Sequence, residues 1–280
     1  MNLLELGGWY EGLPAFRNLS AESQRNYLRF IRKGTTILRG HTEVKGVRAE
    51  EADLLFQTIY DESGKHAAVS CCRIMRRVWN LAVRYRHADF NPFAKMDLPG
   101  LDVRQVIWTE DEVWSFYNTC NDLGFKSMGV LGMLCYVFSQ RPVDMRLLQW
   151  ANVKGTTLDF TQQKTGTQVR LFIPDFMMDI LKSVRREGSY ICVFEETGLP
   201  YTERDYNKLL HDVKRKAHLR MELQLRDLRK TGFTEMGDSG ATDRELMTAG
   251  HLDRGMLDRY VLRSVSQSKS AMNKRFKDRT

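Results

Sequence analysis

The sequence "TTLDFTQQKTGTQVRLFIPD", residues 156–175, separates this chain from an all-helical protein. Apolar residues alternate with polar ones on both sides of a central turn, and they are Leu158, Phe160, Val169, Leu171 and Ile173. Strict alternation is typical of a half-buried strand. The "KTGT" between the two runs contains Gly166, which suits a turn. The pattern predicts a β-hairpin with Lys164 at its tip.

The segments around this hairpin have helical signals. The longest apolar run, "MGVLGMLCYVF" at 128–138, is far shorter than the ~20 residues of a membrane-spanning helix and predicts a buried core helix. Before it, Thr109 can cap a helix and Glu112 can close a capping box. After the hairpin, "ERDYNKLLHDVKRKAHL" predicts another helix. The expected fold class is mainly α with a small antiparallel β-sheet, and the second part is expected to be an α+β domain.

The stretch 90–112, "FNPFAKMDLPGLDVRQVIWTEDE", is the candidate domain boundary, because it holds Pro92, Pro99 and Gly100 and has no period. We expect a helical domain at 1–100, a linker at about 90–108 and a second domain at 105–280, with a helix or tail at its end. About 18 residues precede the first predicted capped helix. With a leader of this length, we expect no additional N-terminal DNA-binding domain.

Three helices are expected in the first part. Ser20 is the N-cap of the first, and the others run through "RAEEADLLFQTIYDE" and "HAAVSCCRIMRRVWNLAVRYRH". The residues expected to face the core are Tyr27, Phe30, Ile31 and Leu38 on the first helix, and Cys71, Ile74, Val78, Leu81 and Tyr85 on the third.

Two of these helices also carry basic residues on another face. They are Arg25, Arg29, Arg32 and Lys33 on the first helix, and Arg73, Arg76, Arg77 and Arg84 on the third. A single such stripe is usually only a solvated face. Two stripes of one sign, in a chain of net charge +8, favour a polyanionic partner, with DNA ahead of an anionic membrane surface.

The composition also limits the chemistry. The N-terminus lacks the features of a secretory signal. The five scattered cysteines form no CxxC pair, which suits a reducing cytosol. The six histidines have no metal-ligand spacing, so we expect no metal. We expect a cytoplasmic, DNA-associated protein, in the host cytoplasm if the chain is phage-encoded.

Four places in the second part hold polar residues that a plain core does not need. They are Arg141 and Asp144 in "SQRPVDMRLLQW", Lys164 in the hairpin, Arg226 and Arg229 in "LRDLRKTG", and His251 and Tyr260 in "AGHLDRGMLDRYVL". Taken singly, each has an ordinary explanation. Arg141 could cap a helix, Lys164 could be a turn lysine, the arginines could pair with Asp227 or Glu222, and Tyr260 could pack in a core.

Taken in order, these motifs resemble the tyrosine recombinase, or phage integrase, family across nearly the whole chain. The resemblance implies a catalytic set of Arg141, Lys164, Arg226, Arg229, His251 and Tyr260. Tyr260 would attack a DNA phosphodiester, Arg141 and Arg229 would clamp the phosphate oxygens, and Lys164 would protonate the leaving 5′-oxygen. His251 would hydrogen-bond the phosphate, and Asp144 would hold an arginine in place. The chemistry needs no cofactor, metal or ATP.

One position departs from the family pattern. The family usually has histidine where this chain has Arg226. An arginine can donate hydrogen bonds to a phosphate oxygen but cannot accept a proton. Because the other five positions are intact, we expect activity to be retained.

The resemblance implies a recombinase that exchanges strands through a Holliday junction, as a homotetramer on specific double-stranded DNA sites. We expect it to serve integration or excision of a phage or mobile element, with a possible accessory directionality factor or host DNA-bending factor. The alternatives are a type IB topoisomerase-like nicking and resealing enzyme, and a catalytically weak DNA-binding protein with an architectural or regulatory role.

Overall fold

Two units make up the chain, Met1–Val103 and Arg104–Thr280. The structure is a computed structural model, and it describes residues 1–40, 42–186, 188–250, 257, 261, 267–269 and 272–273. His251 and Tyr260 lie outside these residues.

The first unit is helical, apart from an isolated antiparallel bridge between Asn2 and Glu43. Its helices are α1 (Leu3–Glu11), α2 (Pro14–Arg17), α3 (Ala21–Ile37), α4 (Ala49–Ser63) and α5 (Lys65–Arg84). The long helix α5 buries one stripe that includes Cys71, Ile74, Val78 and Trp79, and α3 contributes Phe30 and Ile31 to the same core. An amphipathic pattern at helical spacing thus accounts for this core.

Most of the expected core positions of the first unit are confirmed, and one is wrong. Tyr85 is 49% exposed. It follows the last residue of α5, so the helical spacing no longer sets its direction. Its ring instead packs edge-on against Trp9, with the ring centroids 5.7 Å apart.

Helix starts follow the predicted caps. Ser20 Oγ accepts a hydrogen bond from the Ser23 backbone N–H, and α3 begins at the next residue. The predicted box of Thr109 and Glu112 is complete. The first capped helix, however, is α1 and not α3, because Asn2 and Glu5 form a capping box in the leader.

The second unit combines α-helices with one sheet. The helices are α6 (Glu110–Asp122), α7 (Lys126–Val137), α8 (Pro142–Met145), α9 (Asp175–Ser183), α10 (Glu203–Lys216), α11 (Asp227–Asp238) and α12 (Asp243–Gly250). The strands are β1 (Val153–Lys154), β2 (Thr157–Thr161) and β3 (Gln168–Phe172). The predicted apolar helix is α7, and it is buried from Ser127 to Cys135.

The predicted hairpin is present, with one more strand beside it. The three strands are antiparallel in the order β1-β2-β3. Phe160 pairs with Val169, and both side chains face the core. Gly166 takes a φ of +66° in the turn, a conformation that glycine adopts without strain. The predicted fold class, mainly α with a small antiparallel sheet, is confirmed.

Among the described residues, every helix is too short or too polar to span a bilayer.

Candidate active site

Arg141 lies where the chain leaves the buried helix α7. Ser139 turns the backbone with a φ of +50°, and Arg141 then takes the N-cap position of α8 without making a side-chain cap hydrogen bond. Its Nη1 is buried and has no hydrogen-bond partner among the described residues. The carboxylate of Asp144 is 4.0 Å away, which is too far for a hydrogen bond. Helix capping therefore does not explain this arginine.

Arg229 lies in the first turn of α11 and is 2% exposed. Its Nη1 donates to Gln140 Oε1 over 3.1 Å. Its guanidinium carbon is 5.3 Å from the centre of the Phe233 ring. Because Gln140 directly precedes Arg141, this hydrogen bond brings the buried guanidinium of Arg229 close to the start of α8.

The expected alternative, pairing of the arginines with Asp227 or Glu222, is not found in the described structure. Asp227 instead accepts two hydrogen bonds of 2.8 Å from Arg104. Glu222 pairs with Arg220 at 3.0 Å. The two acids have other partners, and neither neutralises Arg229.

A glycine brings α11 close to the end of α7. A Cβ on Gly232 would lie 2.2 Å from Ser139 Oγ and 2.6 Å from the Tyr136 carbonyl oxygen. Only a residue without a side chain fits there. Arg229 is one turn earlier on the same helix, so this contact sets its distance to Gln140.

Lys164 is exposed in the loop of the β2–β3 hairpin. The loop is closed by two backbone hydrogen bonds of 2.9 Å, from Gln162 N to Thr167 O and from Gly166 N to Gln162 O. No described residue forms an ion pair or a side-chain hydrogen bond with the Lys164 ammonium. A single cationic side chain thus projects from an ordered turn.

Two buried glutamines join this hairpin to the arginines. Gln162 Nε2 donates to Gln140 Oε1 over 2.8 Å, and the same Oε1 accepts from Arg229. Gln162 and Gln140 are 1% and 0% exposed. Beside them, Asp144 Oδ1 accepts from the Gln163 backbone N–H over 2.7 Å. Arg141, Lys164 and Arg229 therefore belong to one connected region.

Neither glutamine was predicted from the sequence as a site residue. The available signal was their position, since Gln140 directly precedes Arg141 and Gln162 is the first polar residue after the alternating strand. The observed role of Asp144 also differs from the expected one. Its hydrogen bond goes to the hairpin backbone, while its contact with Arg141 is longer.

Arg226 is exposed at the N-cap of α11, three residues before Arg229. Residues this far apart are neighbours on a helix surface. Burial raises the pKa of Tyr206 on α10 to about 12, and the positive charges of Arg146 and Arg226 oppose that rise. Arg226 thus adds positive charge at the start of the helix that carries Arg229.

A second group of contacts, also missed, holds α11 in place. Lys230 Nζ donates to the Arg104 carbonyl oxygen and to Gln105 Oε1, over 2.6 and 3.0 Å. The Trp108 backbone N–H donates to Thr231 Oγ1 over 2.9 Å. Together with the Arg104–Asp227 pair, these contacts tie residues 104–108 to α11 on both sides of Arg229. We call them the α11 clamp.

The basic stripes of the first unit are partly confirmed as exposed surface. Two members are partly buried and bonded within the unit: Arg76 donates to the carbonyl oxygens of Phe93 and Met96, and Lys33 binds Ser63 and Glu62. The remaining members are exposed, and they are Arg25, Arg29, Arg32, Arg73, Arg77 and Arg84.

In the described ranges no three or more histidine, cysteine, aspartate or glutamate side chains are grouped so that they could hold a metal ion. His251 and Tyr260, the last two members of the expected catalytic set, are not among the described residues.

Comparison of the sequence alone finds nothing: no protein-family model matches, and no curated protein matches. Comparison of the structure finds integrases. A lambda integrase dimer bound to a COC′ core site is similar over 93% of this chain and 77% of its own, with a TM-score of 0.81 and 18% identity. The Tn1549 transposon integrase in complex with circular intermediate DNA is similar over 97% and 99%, with a TM-score of 0.77 and 13% identity.

The chain has the tyrosine-recombinase fold. A lambda integrase tetramer bound to a Holliday junction is also similar, with a TM-score of 0.77 and 18% identity over 90% of this chain and 78% of its own. The tyrosine-recombinase fold extends over both units, since each of these matches covers at least 90% of the chain.

Proposed function

We propose that this chain is a site-specific recombinase that cleaves and rejoins DNA through a 3′-phosphotyrosine intermediate. The observation that carries the proposal is the buried Nη1 of Arg141, which has no hydrogen-bond partner among the described residues. A buried donor without a partner costs free energy and calls for a ligand. A phosphate oxygen supplies an acceptor of the matching charge.

The proposed reaction has balanced steps. The hydroxyl oxygen of Tyr260 attacks phosphorus as its proton passes to water, and the bond from phosphorus to the 5′-oxygen breaks. Arg141 and Arg229 stabilise the charge that grows on the non-bridging oxygens. Lys164 gives a proton to the leaving 5′-oxygen. The phosphotyrosine ester retains the energy of the broken bond, so another 5′-hydroxyl can reverse the reaction without ATP.

His251 is proposed to hydrogen-bond the phosphate, and Arg226 to add a donor where the family usually has histidine. This assignment makes a prediction. Arg226→His should retain or increase the rate of strand cleavage, because histidine also donates to a phosphate oxygen. The rate is measured by single-turnover cleavage of a specific site. Complete loss of cleavage would mean that Arg226 has a specialised partner that histidine cannot replace.

Strand exchange between two duplexes requires four strand cleavages, so we propose that four copies act together on double-stranded DNA. The likeness to the lambda integrase tetramer on a Holliday junction supports this assembly. The likeness to the Tn1549 transposon integrase supports a role in phage or mobile-element integration and excision.

The test is a covalent adduct on a suicide substrate, a nicked DNA whose released end diffuses away. The DNA flanking the gene supplies the candidate site. In EDTA, the wild-type protein should form a denaturation-resistant adduct, while Tyr260→Phe should bind the DNA but form none. If Tyr260→Phe still forms the adduct, Tyr260 is not the nucleophile. If the wild type binds in a salt-sensitive manner and forms no adduct, the chain is a DNA-binding protein without this chemistry.

A further inference from the structure

We infer that Gln162, through its contact with Gln140, is a positioning residue that holds Lys164 at the leaving 5′-oxygen. The inference rests on the proposed function and extends it to the control of the proton-transfer step. Neither glutamine would touch the DNA in this role. Gln162 would act through Lys164, which lies two residues after it in sequence.

The need for such a residue follows from where Lys164 lies. Its side chain is long and exposed, and it projects from a hairpin loop. A general acid must come within hydrogen-bond distance of its target, about 3 Å. An error of ~1 Å in such a placement can cost on the order of 100-fold in rate. The loop itself must therefore be fixed relative to the phosphate.

The Gln162 amide fixes the loop from inside. Its Oε1 accepts from Thr165 Oγ1 over 2.8 Å, and its Nε2 donates to Gln140 Oε1 over 2.8 Å. Thr165 is the residue directly after Lys164. One amide thus binds the loop just beyond the lysine and connects it to the end of α7.

A second contact holds the residue directly before the lysine. The Gln163 backbone N–H donates to Asp144 Oδ1 over 2.7 Å, and Asp144 is 4% exposed. Lys164 is therefore held on both sides by buried acceptors. Both contacts lead to the turn that carries Arg141.

The side-chain amide of Gln140, to which Gln162 binds, also binds Arg229. Gln140 Oε1 accepts from Arg229 Nη1 as well as from Gln162 Nε2, and Gln140 Nε2 donates to the Phe138 carbonyl oxygen over 3.0 Å. The proton donor and the phosphate-binding arginines thus share one set of buried hydrogen bonds. A buried amide costs free energy unless it is bonded, so this pairing also specifies one arrangement of the loop.

The test compares two leaving groups. In ordinary DNA the leaving oxygen needs a proton, whereas a 5′-bridging sulfur leaves as a thiolate without one, because a thiol is far more acidic than an alcohol. Lys164→Ala should therefore lose cleavage of the oxygen substrate, by roughly 100-fold or more, and recover on the sulfur substrate. Loss of a phosphate-binding arginine should affect both substrates.

The decisive variant is Gln162→Met, which keeps the length of the side chain and removes both hydrogen bonds. We expect it to lose about 10- to 100-fold on the oxygen substrate and to approach the wild-type rate on the sulfur substrate. Gln168→Met is the matched control, since Gln168 is exposed on β3 of the same hairpin, and it should cleave both substrates normally. Gln162→Met with no loss, or with an equal loss on both substrates, overturns the inference.

A second pair of variants tests the inference even if Gln162→Met fails to fold. Asp144→Asn retains an oxygen acceptor for the Gln163 N–H, whereas Asp144→Ala removes it. Asp144→Ala alone should show the selective defect that sulfur repairs. If the wild type forms no adduct on either substrate, the proposed function itself fails, and this inference fails with it. If the wild type cleaves and the variants show no selective repair, only the inference fails.

Discussion

Arg141 combines a cost in stability with a use in binding. Its buried Nη1 has no partner among the described residues, so replacing the side chain removes an unsatisfied donor. We expect Arg141→Met to reduce the rate of strand cleavage by about 100- to 1000-fold. We also expect it to lower the free energy of unfolding less than Arg104→Met does, because Asp144 is 4.0 Å from Arg141 and keeps its hydrogen bond from the Gln163 N–H. Single-turnover cleavage and denaturant unfolding measure the two effects.

Arg104→Met is the matched control for this substitution. Arg104 binds the 5% exposed carboxylate of Asp227 through two hydrogen bonds. Its loss leaves a buried charge with fewer partners, so we expect the free energy of unfolding to fall by about 1–3 kcal/mol. An equal loss of stability in both arginine variants would contradict the role given to Arg141.

Glu235 gives a pH dependence with a definite sign. Burial raises its pKa, its hydrogen bond from Tyr136 opposes the rise, and the charges of Glu110 and Asp238 add to it. The folded chain therefore holds this proton more tightly than the unfolded chain does. The contribution of Glu235 to the free energy of unfolding falls as pH rises from about 4.5 toward the raised pKa.

Glu235→Gln should remove this effect, because glutamine still accepts from the Tyr136 hydroxyl and carries no charge. We expect the variant to be more stable than the wild type at pH 7, with the difference disappearing near pH 4. Denaturant unfolding at both pH values measures it. Glu196→Gln, on an exposed turn, controls for the loss of one charge. A variant less stable than the wild type at pH 7 would show that the carboxylate is favourable where it is.

The prediction of Arg141, Lys164 and Arg229 came from the ordered motifs that resemble the tyrosine recombinase family, and phosphate chemistry explains why such motifs contain those donors. They could not reveal Gln140 and Gln162. A glutamine is usually a surface residue, and its burial here depends on contacts between segments 22 residues apart. The α11 clamp was missed for the same reason, because Lys230 has no sequence signal that separates it from a solvated lysine.

Among the helices, the contact of α11 with α7 depends on Gly232. Gly232→Ala places a methyl group against Ser139 and the Tyr136 carbonyl oxygen, and the backbone has no rotamer by which to move away. We expect the free energy of unfolding to fall by about 1–3 kcal/mol. Strand cleavage should also fall, because Arg229 shifts with the helix.

Gly8→Ala is the opposite control. Gly8 lies in α1, and a Cβ there has no atom within 4 Å. Alanine is favoured over glycine in a helix by about 1 kcal/mol, so this variant should be more stable than the wild type. Denaturant unfolding measures both glycine variants. If Gly232→Ala is as stable as Gly8→Ala, the close approach of α11 to α7 is not present in solution.

Elements with strong local signals were predictable, and those that depend on distant contacts were not. The N-cap residues and the period of the apolar residues predicted α3, α6 and the β2–β3 hairpin. The strand β1 has two residues, too few to show a period, and it exists because Val153 pairs with Leu158. The capping box of Asn2 and Glu5 starts α1, and its two residues have the spacing in the sequence that would have predicted this helix.

For the whole chain, the exposed arginines of the first unit lead to a test of DNA binding. Each phosphate contact contributes about 0.9 to the slope of log K against log salt. The double variant Arg25→Ala, Arg73→Ala should bind more weakly and should lower that slope by up to about 1.8. Lys182→Ala removes an exposed charge on α9 that pairs with Asp179, and it should leave the slope unchanged. An unchanged slope in the double variant would remove these two residues from the proposed DNA contact.

The composition and the 90–112 stretch predicted two parts, and the change between units falls at residues 103 and 104. The fold class could be predicted from the period of the apolar residues alone. The fold family required the ordered set of polar residues, because no single motif is specific and the sequence identity to the similar integrases is 13–18%.

The α11 clamp also has a mechanical consequence. The backbone enters the second unit at Arg104, and hydrogen bonds of the Arg104, Lys230 and Thr231 side chains join residues 104–108 to α11 before the chain reaches α6. Force applied to the backbone at residue 104 is therefore transmitted into the helix that carries Arg229, ahead of every other helix of the described second unit. Tension in the connecting chain would act on the arginine that is proposed to hold the phosphate.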